Sequence, residues 1–386
     1  MPVSAYLYPW DVDGDPAAAD RIAGLGVGEV SLAAVYHAVR AVTPFHPGHR
    51  VVTRDAAVYH RPDPGHWRDA RLRPAGPGPG QTGSFERAAE ALRRAGLKVT
   101  AWVVLAHNDR LGAEHPDCAV RNAYGDPYPW ALCIGSPDVA DYAAALAAEV
   151  AALGCVDGVE LEACGWYGYS HGSAHDKTGG GPPDGAPGWL LDACFCRSCT
   201  RAFEEAGADP GALARTVRGA LDASYRQDAP APGEPVAPPE VLAKVRAGTA
   251  EGFLTRVVSA VRAAGPGKDV LLHSHPDPRE AGANPGYDPA VSLGPGGADR
   301  VILQCPGPAE RSAAVVTRTL RAAPAGARVA GTLPAVTALG ARPAELPGLA
   351  AAVRAAGVTD LRVYHAGLAS PGDLAAIQTL TAALGE

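Results

Sequence analysis

Eight short runs rich in β-branched and aromatic residues alternate with Ala-rich helical stretches, and this alternation leaves few folds open to the chain. The strand candidates are residues 4–10, 29–37, 97–107, 156–163, 269–275, 300–305, 328–334 and 360–365. Helices are predicted over residues 16–25, 84–95, 137–153, 309–323, 343–356 and 371–384, with a longer helical region over 210–264. Several start on capping signals, such as Ser136-Pro137 and Ser370-Pro371, which place Pro at the first helical position. Strict βα alternation implies a parallel sheet, either doubly wound or closed into a barrel. No Gly-x-Gly-x-x-Gly follows the first strand, which argues against a dinucleotide-binding sheet. The expected class is therefore α/β, a single (β/α)8 TIM barrel over residues 1–386.

The connections are unequal. Helix-to-strand links are short, whereas several strand-to-helix links are long, and in barrels these loops build the active face. The longest predicts an insertion or lid subdomain over residues 164–268, stapled by zinc for reasons given below. Smaller excursions span 37–83 and 108–136, drawing on 46 Gly and 36 Pro. The balance of 34 basic and 41 acidic residues, with no basic cluster, predicts no nucleic-acid partner and no anionic membrane. No apolar stretch reaches 18 residues, and the first residues lack the basic and apolar regions of a signal peptide. Eight Cys are then expected as reduced thiols or metal ligands in a cytoplasmic protein. A homo-oligomer is compatible with this composition.

All twelve His fall at strand C-termini or in strand-to-helix loops, and Trp10, Trp67, Trp130, Trp166 and Trp189 share that side. A mouth of imidazoles and aromatic faces suits a small sugar-like molecule. The fourth strand reads Val156-Asp157-Gly158-Val159-Glu160-Leu161-Glu162-Ala163. Alternation sends Val159 and Leu161 outward under the helices and Glu160 and Glu162 into the barrel. Glu162 stands at the mouth, with Glu160 about 6.6 Å deeper. A carboxyl among apolar walls and beside another carboxylate has the raised pKa that a general acid needs. Glu160 reads equally well as a core carboxylate satisfied by Arg362, Lys98 or a neighbouring Tyr.

The loop that follows offers Trp166, Tyr167, His171, His175 and Lys177 as substrate contacts. Its glycines disfavour a helical metal pair at His171 and His175. His273, His275 and Asp277 follow the fifth strand, while Trp10, Asp11, His37, His107 and His365 complete the rim. Further on, Cys194-Phe195-Cys196-Arg197-Ser198-Cys199 supplies three thiolates at a spacing that binds one tetrahedral Zn²⁺. The fourth ligand is sought first at Cys133 or Cys164, then at Cys118. This zinc is expected to be structural.

The order Asn122-Ala123-Tyr124-Gly125-Asp126, Leu132-Cys133, Ser136-Pro137-Asp138-Val139, a helix, then Asp157-Gly158-Val159-Glu160-Leu161-Glu162 resembles barrel glycoside hydrolases and their hydrolase-like relatives. The Cys-x-Cys-x-x-Cys segment is similar to the structural zinc cluster of family 42 β-galactosidases, and by that likeness Cys133 is the fourth ligand. The resemblance implies a glycoside hydrolase with Glu162 at the acid/base position. The Asn that usually precedes that Glu is replaced by Leu161, and residues 328–334 on the seventh strand carry no carboxylate where a nucleophile is expected. The second carboxylate is then Asp11, Asp277 or Glu160. Two alternatives stand beside this reading. One is a metal-dependent hydrolase, isomerase or lyase using His37, His107, His273 and His275; the other is a non-catalytic sugar-binding barrel.

Overall fold

A computed structural model describes residues 1–78, 80–170, 176–178, 186–225 and 239–385. Eight parallel strands close on themselves: β1 (Val3–Leu7), β2 (Glu29–Tyr36), β3 (Lys98–Val104), β4 (Gly158–Glu162), β5 (Asp269–His273), β6 (Arg300–Gln304), β7 (Arg328–Pro334) and β8 (Asp360–Tyr364). Each pairs in parallel with the next, and β8 returns to β1 through Val3 opposite Leu361. Around them lie α1 (Ala18–Ala23), α2 (Ser84–Arg94), α3 (Pro137–Ala152), α4 (Glu240–Ala264), α5 (Pro289–Ser292), α6 (Ala309–Ala322), α7 (Leu346–Ala356) and α8 (Pro371–Gly385). This is the (β/α)8 barrel that the alternation predicts.

Periodicity explains the outer layer. In α2, Phe85, Ala88, Ala89 and Leu92 fall on one stripe and are buried. Closure is tied at the chain ends, where the Met1 ammonium donates to the Leu384 carbonyl at 3.2 Å and Thr381 Oγ1 to the Leu25 carbonyl at 2.5 Å. The helical region expected over 210–264 contains a helix at Pro210–Tyr225 and α4, which packs along α3. The barrel layer therefore resumes at Glu240. Between β5 and β6 the helix is a single turn. Two hairpins rise from the long loops, Val39–Val42 with Val51–Arg54 and Ala119–Arg121 with Pro127–Leu132. Of the His expected in loops, His66 sits in a one-turn helix, Pro64–Trp67, within the loop after β2.

Along β4, Val159 and Leu161 join the core under the helices, while Glu160 and Glu162 point inward as parity requires. Much of the interior is ionic. Fully buried Arg362 reaches Glu160 at 2.7 Å and Glu29 at 2.9 Å, and Asp360 lies 3.8 Å from its Nε. Arg300 continues the lattice to Asp360 at 3.0 Å and Asp269 at 3.3 Å, where Arg328 joins at 3.1 Å. Removing Arg362 leaves Glu160 and Asp360 buried without that cation, while Glu29, Asp269 and Arg328 at the ends of the network keep access to solvent. Arg362→Met is therefore expected to lower unfolding stability by about 3–5 kcal/mol, read by urea denaturation. A loss below about 1 kcal/mol would show that the lattice is not load-sharing.

Candidate active site and a tetracysteine metal centre

Two carboxylates one layer apart on β4 meet opposite surroundings. Glu160 accepts from Ser31 Oγ at 2.6 Å and Arg362 Nη1 at 2.7 Å, and its second oxygen lies 2.6 Å from His273 Nε2. Burial alone would raise its pKa, but Arg362 and His273 outweigh burial and hold the carboxyl down at about 2. Of the roles open to it in the sequence, the core carboxylate satisfied by Arg362 is the one its contacts match. His273 gains in return: burial opposes its charge, but the bond to Glu160 and that carboxylate's charge lift the imidazole above its ordinary value.

Glu162 has no such partner cation at hydrogen-bond distance among the described residues. Its Oε2 accepts from Trp102 Nε1 at 2.6 Å. Burial raises its pKa, and the charge of Glu160 adds to that rise against His273 and the Trp102 bond. The strand thus holds one carboxylate locked as an anion and another biased toward carrying a proton.

Phenols and imidazoles surround Glu162. Its charge bears on Tyr36, Tyr167 and Tyr364, and Tyr8 Oη donates to Tyr36 Oη at 3.0 Å. Trp10 stacks on Tyr8 with centroids 4.4 Å apart, and His365 stacks on Tyr8 at 4.3 Å. A second stack runs Tyr36, His37, His107, Tyr167 at 4.2, 4.0 and 4.4 Å. Tyr167 Oη and His107 Nδ1 are 2.6 Å apart. Tyr8, Tyr36, Trp102 and Tyr364 were not singled out from the sequence. Trp102 was accessible by parity, because it alternates inward with Thr100 and Val104; the others abut residues already on the rim.

His365 is fully buried, and among the described residues neither its ring nitrogens nor the Trp10 Nε1 has a hydrogen-bond partner. Burial pushes the His365 imidazole down to about 3, so the neutral ring offers one donor and one acceptor. His275 is partly exposed and accepts from the Asp277 backbone N–H at 3.2 Å. Trp166 is committed to packing: its indole donates to the Arg246 carbonyl at 2.9 Å and lies 4.6 Å from that guanidinium. Lys177 is exposed, and His171 and His175 lie outside the described residues.

Neither rim aspartate touches Glu162. Asp11 turns back to accept from the Tyr8 N–H at 2.8 Å, packed so tightly that a Cβ on Gly367 would lie 1.8 Å from its carboxylate. Burial lifts its pKa to about 7. Its stabilising contribution is full below the ordinary value of 3.8 and disappears as pH rises through about 7. Asp11→Asn keeps an acceptor for Tyr8 and is expected to recover about 2–4 kcal/mol at pH 8 but little at pH 4, measured by paired thermal melts. Equal effects at both values would contradict the burial argument. Asp277 is half-buried; the Arg279 N–H and guanidinium, with Arg318 at 3.9 Å, overcome burial and hold it below the usual carboxylate range.

Beyond the mouth, Cys133, Cys194, Cys196 and Cys199 converge, all buried, with their sulfurs within 4.8 Å of one another. Cys133 Sγ lies 3.4 Å from Cys199 Sγ and 3.5 Å from Cys196 Sγ. Four thiolates about 2.3 Å from one tetrahedral ion stand about 3.8 Å apart, so the set fits a metal. The N–H groups of Arg121 and Cys196 point at Cys194 Sγ at 3.5 and 3.4 Å. Cys133 is thus the fourth member, since Cys118 instead contacts Arg71 and Ser136 and Cys164 stands apart. Among the described residues no histidine or carboxylate group of three converges in this way. His37 and His107 stack face to face.

No protein-family model matches the chain, and no curated protein is significantly similar to it. Its fold is shared with solved structures. The PgaB (BpsB) glycoside hydrolase domain from Bordetella bronchiseptica is 15% identical, with 99% of each chain covered and a TM-score of 0.63. A β-galactosidase from Bacillus circulans sp. alkalophilus is 12% identical over 100% of this chain and 56% of its own, with a TM-score of 0.60. Alpha-L-fucosidase isoenzyme 2 from Paenibacillus thiaminolyticus is 14% identical over 100% of this chain and 49% of its own, with a TM-score of 0.58. The chain thus spans about half the length of the last two. At these identities the likeness is one of fold alone, the (β/α)8 barrel.

Proposed function

We propose that the protein is a glycoside hydrolase acting on a glycoside or a similar polyhydroxylated small molecule. The observation that carries this reading is Glu162, a buried carboxyl biased toward its protonated form inside a ring of phenols and imidazoles. Glu162 donates its proton to the glycosidic oxygen as the C–O bond breaks. Asp277, held ionised on the loop beyond the neighbouring strand, takes a proton from the water that attacks the anomeric carbon. The leaving group departs with one proton, the sugar gains the hydroxyl, and the proton on Asp277 returns through solvent to Glu162. Glu160, locked to Arg362, holds His273 in place beneath Glu162 and takes no proton. His107, Tyr36, Tyr364 and neutral His365 bind hydroxyls, with His37, His275 and Lys177 outside them.

The four cysteines hold zinc in this reading, the ion that a closed all-thiolate site most often takes. It ties the loop after β4 to the hairpin before α3 and takes no part in the chemistry. Eight unpaired thiols fit a reducing cytoplasm. No described helix is long and apolar enough to cross a membrane.

Hydrolysis of a panel of aryl glycosides, with the product anomer read by NMR, tests the reading. Release of an inverted sugar supports the Glu162–Asp277 pair, since an inverting pair needs room for a water between its carboxyls. A retained product overturns Asp277 as base. Among the described residues no second carboxylate hydrogen-bonds to Glu162, which favours one rival, a barrel that only binds sugar. Saturable sugar binding with no turnover on any substrate would decide for it.

A further inference from the structure

Strand register places His273 beside Glu162. β5 pairs with β4 through Leu272 opposite Leu161, so one residue further on His273 and Glu162 end their strands as neighbours. Both face the barrel interior, because side chains alternate along each strand. The buried His273 ring reaches back to Glu160, with Nε2 2.6 Å from Oε1. The other Glu160 oxygen accepts from Ser31 and Arg362. Oε1 is thus left to accept from the imidazole, which requires a proton on Nε2.

The second ring nitrogen also meets an oxygen. Nδ1 lies 3.2 Å from Asn284 Oδ1, on the loop after β5. An amide oxygen accepts and never donates, so this contact asks for a proton on Nδ1 as well. A ring that donates from both nitrogens is a cation. The groups bearing on it come from three strands: Tyr6 Oη of β1 lies 3.4 Å from Nε2, Glu160 and Glu162 of β4 favour the charge, and Arg362 of β8 opposes it, as burial does. Glu162 has use for such a neighbour. A buried general acid keeps its proton at rest yet must persist as an anion after giving it up, and burial helps only the first. Trp102 Nε1 gives that anion one hydrogen bond. His273 favours it through charge alone.

We infer that His273 is a positioning residue, a resident imidazolium fixed by Glu160 and Asn284 that stabilises the anion left when Glu162 gives up its proton. Arg362, Glu160, His273 and Glu162 then alternate in sign up the barrel. The role in turnover rests on the glycoside hydrolase reading, whereas the charge on the ring does not.

Long-range proton–nitrogen NMR of the imidazoles tests the charge without any substrate. At pH 8 an ordinary histidine is neutral, with one protonated and one bare nitrogen. The ring whose signals vanish in His273→Gln is expected to show both nitrogens protonated at that pH. Carboxyl-carbon NMR of Glu162, assigned through Glu162→Gln, tests the coupling. His273→Gln keeps an N–H for Glu160 but carries no charge, so Glu162 is expected to hold its proton about 10-fold more tightly in that variant. If His273→Gln does not fold, Asn284→Leu takes its place. Loss of the Nδ1 acceptor is expected to bare that nitrogen at pH 8 and to shift Glu162 in the same direction, while Asn284→Asp keeps the ring charged. A neutral His273 in the native protein at pH 8 would overturn the inference. So would a Glu162 titration that the loss of the charge leaves unchanged. A charged ring coupled to Glu162 in a protein that hydrolyses no glycoside would uphold the pair and remove its part in turnover, so the two readings fail separately.

Discussion

Glu162→Gln is expected to lower kcat/KM by about 10²–10⁴-fold while leaving the fold intact, because a positioned general acid contributes on that scale. The amide retains an acceptor for Trp102 Nε1 and adds no volume. It also removes a carboxyl whose pKa burial has raised, a group whose stabilising contribution is present at low pH and lost as pH rises through its folded value. The variant should therefore melt at or above the native temperature at pH 8. The pH profile supplies a second check. An acid catalyst with a raised pKa gives activity that falls as pH rises through that value, and this alkaline limb should vanish in the variant. Retained kcat/KM would remove Glu162 from the chemistry. A lower melting temperature at pH 8 would instead mark it as structural.

Replacing Cys196 and Cys199 together by Ser is expected to abolish metal binding and most soluble folded protein. Structural sites of this type supply about 10–16 kcal/mol in small metal-dependent folds, comparable to the about 5–15 kcal/mol of a whole domain. Without the ion, four thiols within 4.8 Å gain nothing from being together. The damage reaches the mouth by a short path. Arg246 on α4 is sandwiched between Trp166 and Trp189 at 4.6 and 4.8 Å and donates to the Asp192 carbonyl at 2.8 Å, two residues before Cys194. Trp166 precedes Tyr167, whose hydroxyl meets His107. Elemental analysis and circular dichroism on the native and double-variant proteins check this expectation. One ion per native chain, lost with the substitutions, fits. Full metal content in the variant would place the ion elsewhere.

What was legible locally is what chain periodicity controls. Period-two alternation on β4 decides that Glu160 and Glu162 share the barrel's inner face, and the helical stripe of α2 decides which residues lie beneath it. The Cys-x-Cys-x-x-Cys spacing identifies three of the four cysteines that converge, because a tetrahedral ion accepts only a few local geometries. Spacing alone leaves three cysteines open as the fourth; the family likeness points to Cys133, and the hairpin before α3 brings that residue alongside. Short-range competition was harder to read. Asp11 looked like a rim carboxylate, but its side chain satisfies the Tyr8 N–H three residues back.

By itself the sequence determined the eight-unit alternation, the inward parity of the two glutamates, and the concentration of imidazoles on the strand-to-helix face. These follow from period and loop length, which each segment carries alone. Only the tertiary structure decided that the pKa of Glu160 is held down while that of Glu162 is raised. That difference comes from Arg362, 202 residues away, and His273, 113 away, and a buried carboxyl's pKa is set by whichever charges closure brings within hydrogen-bonding distance.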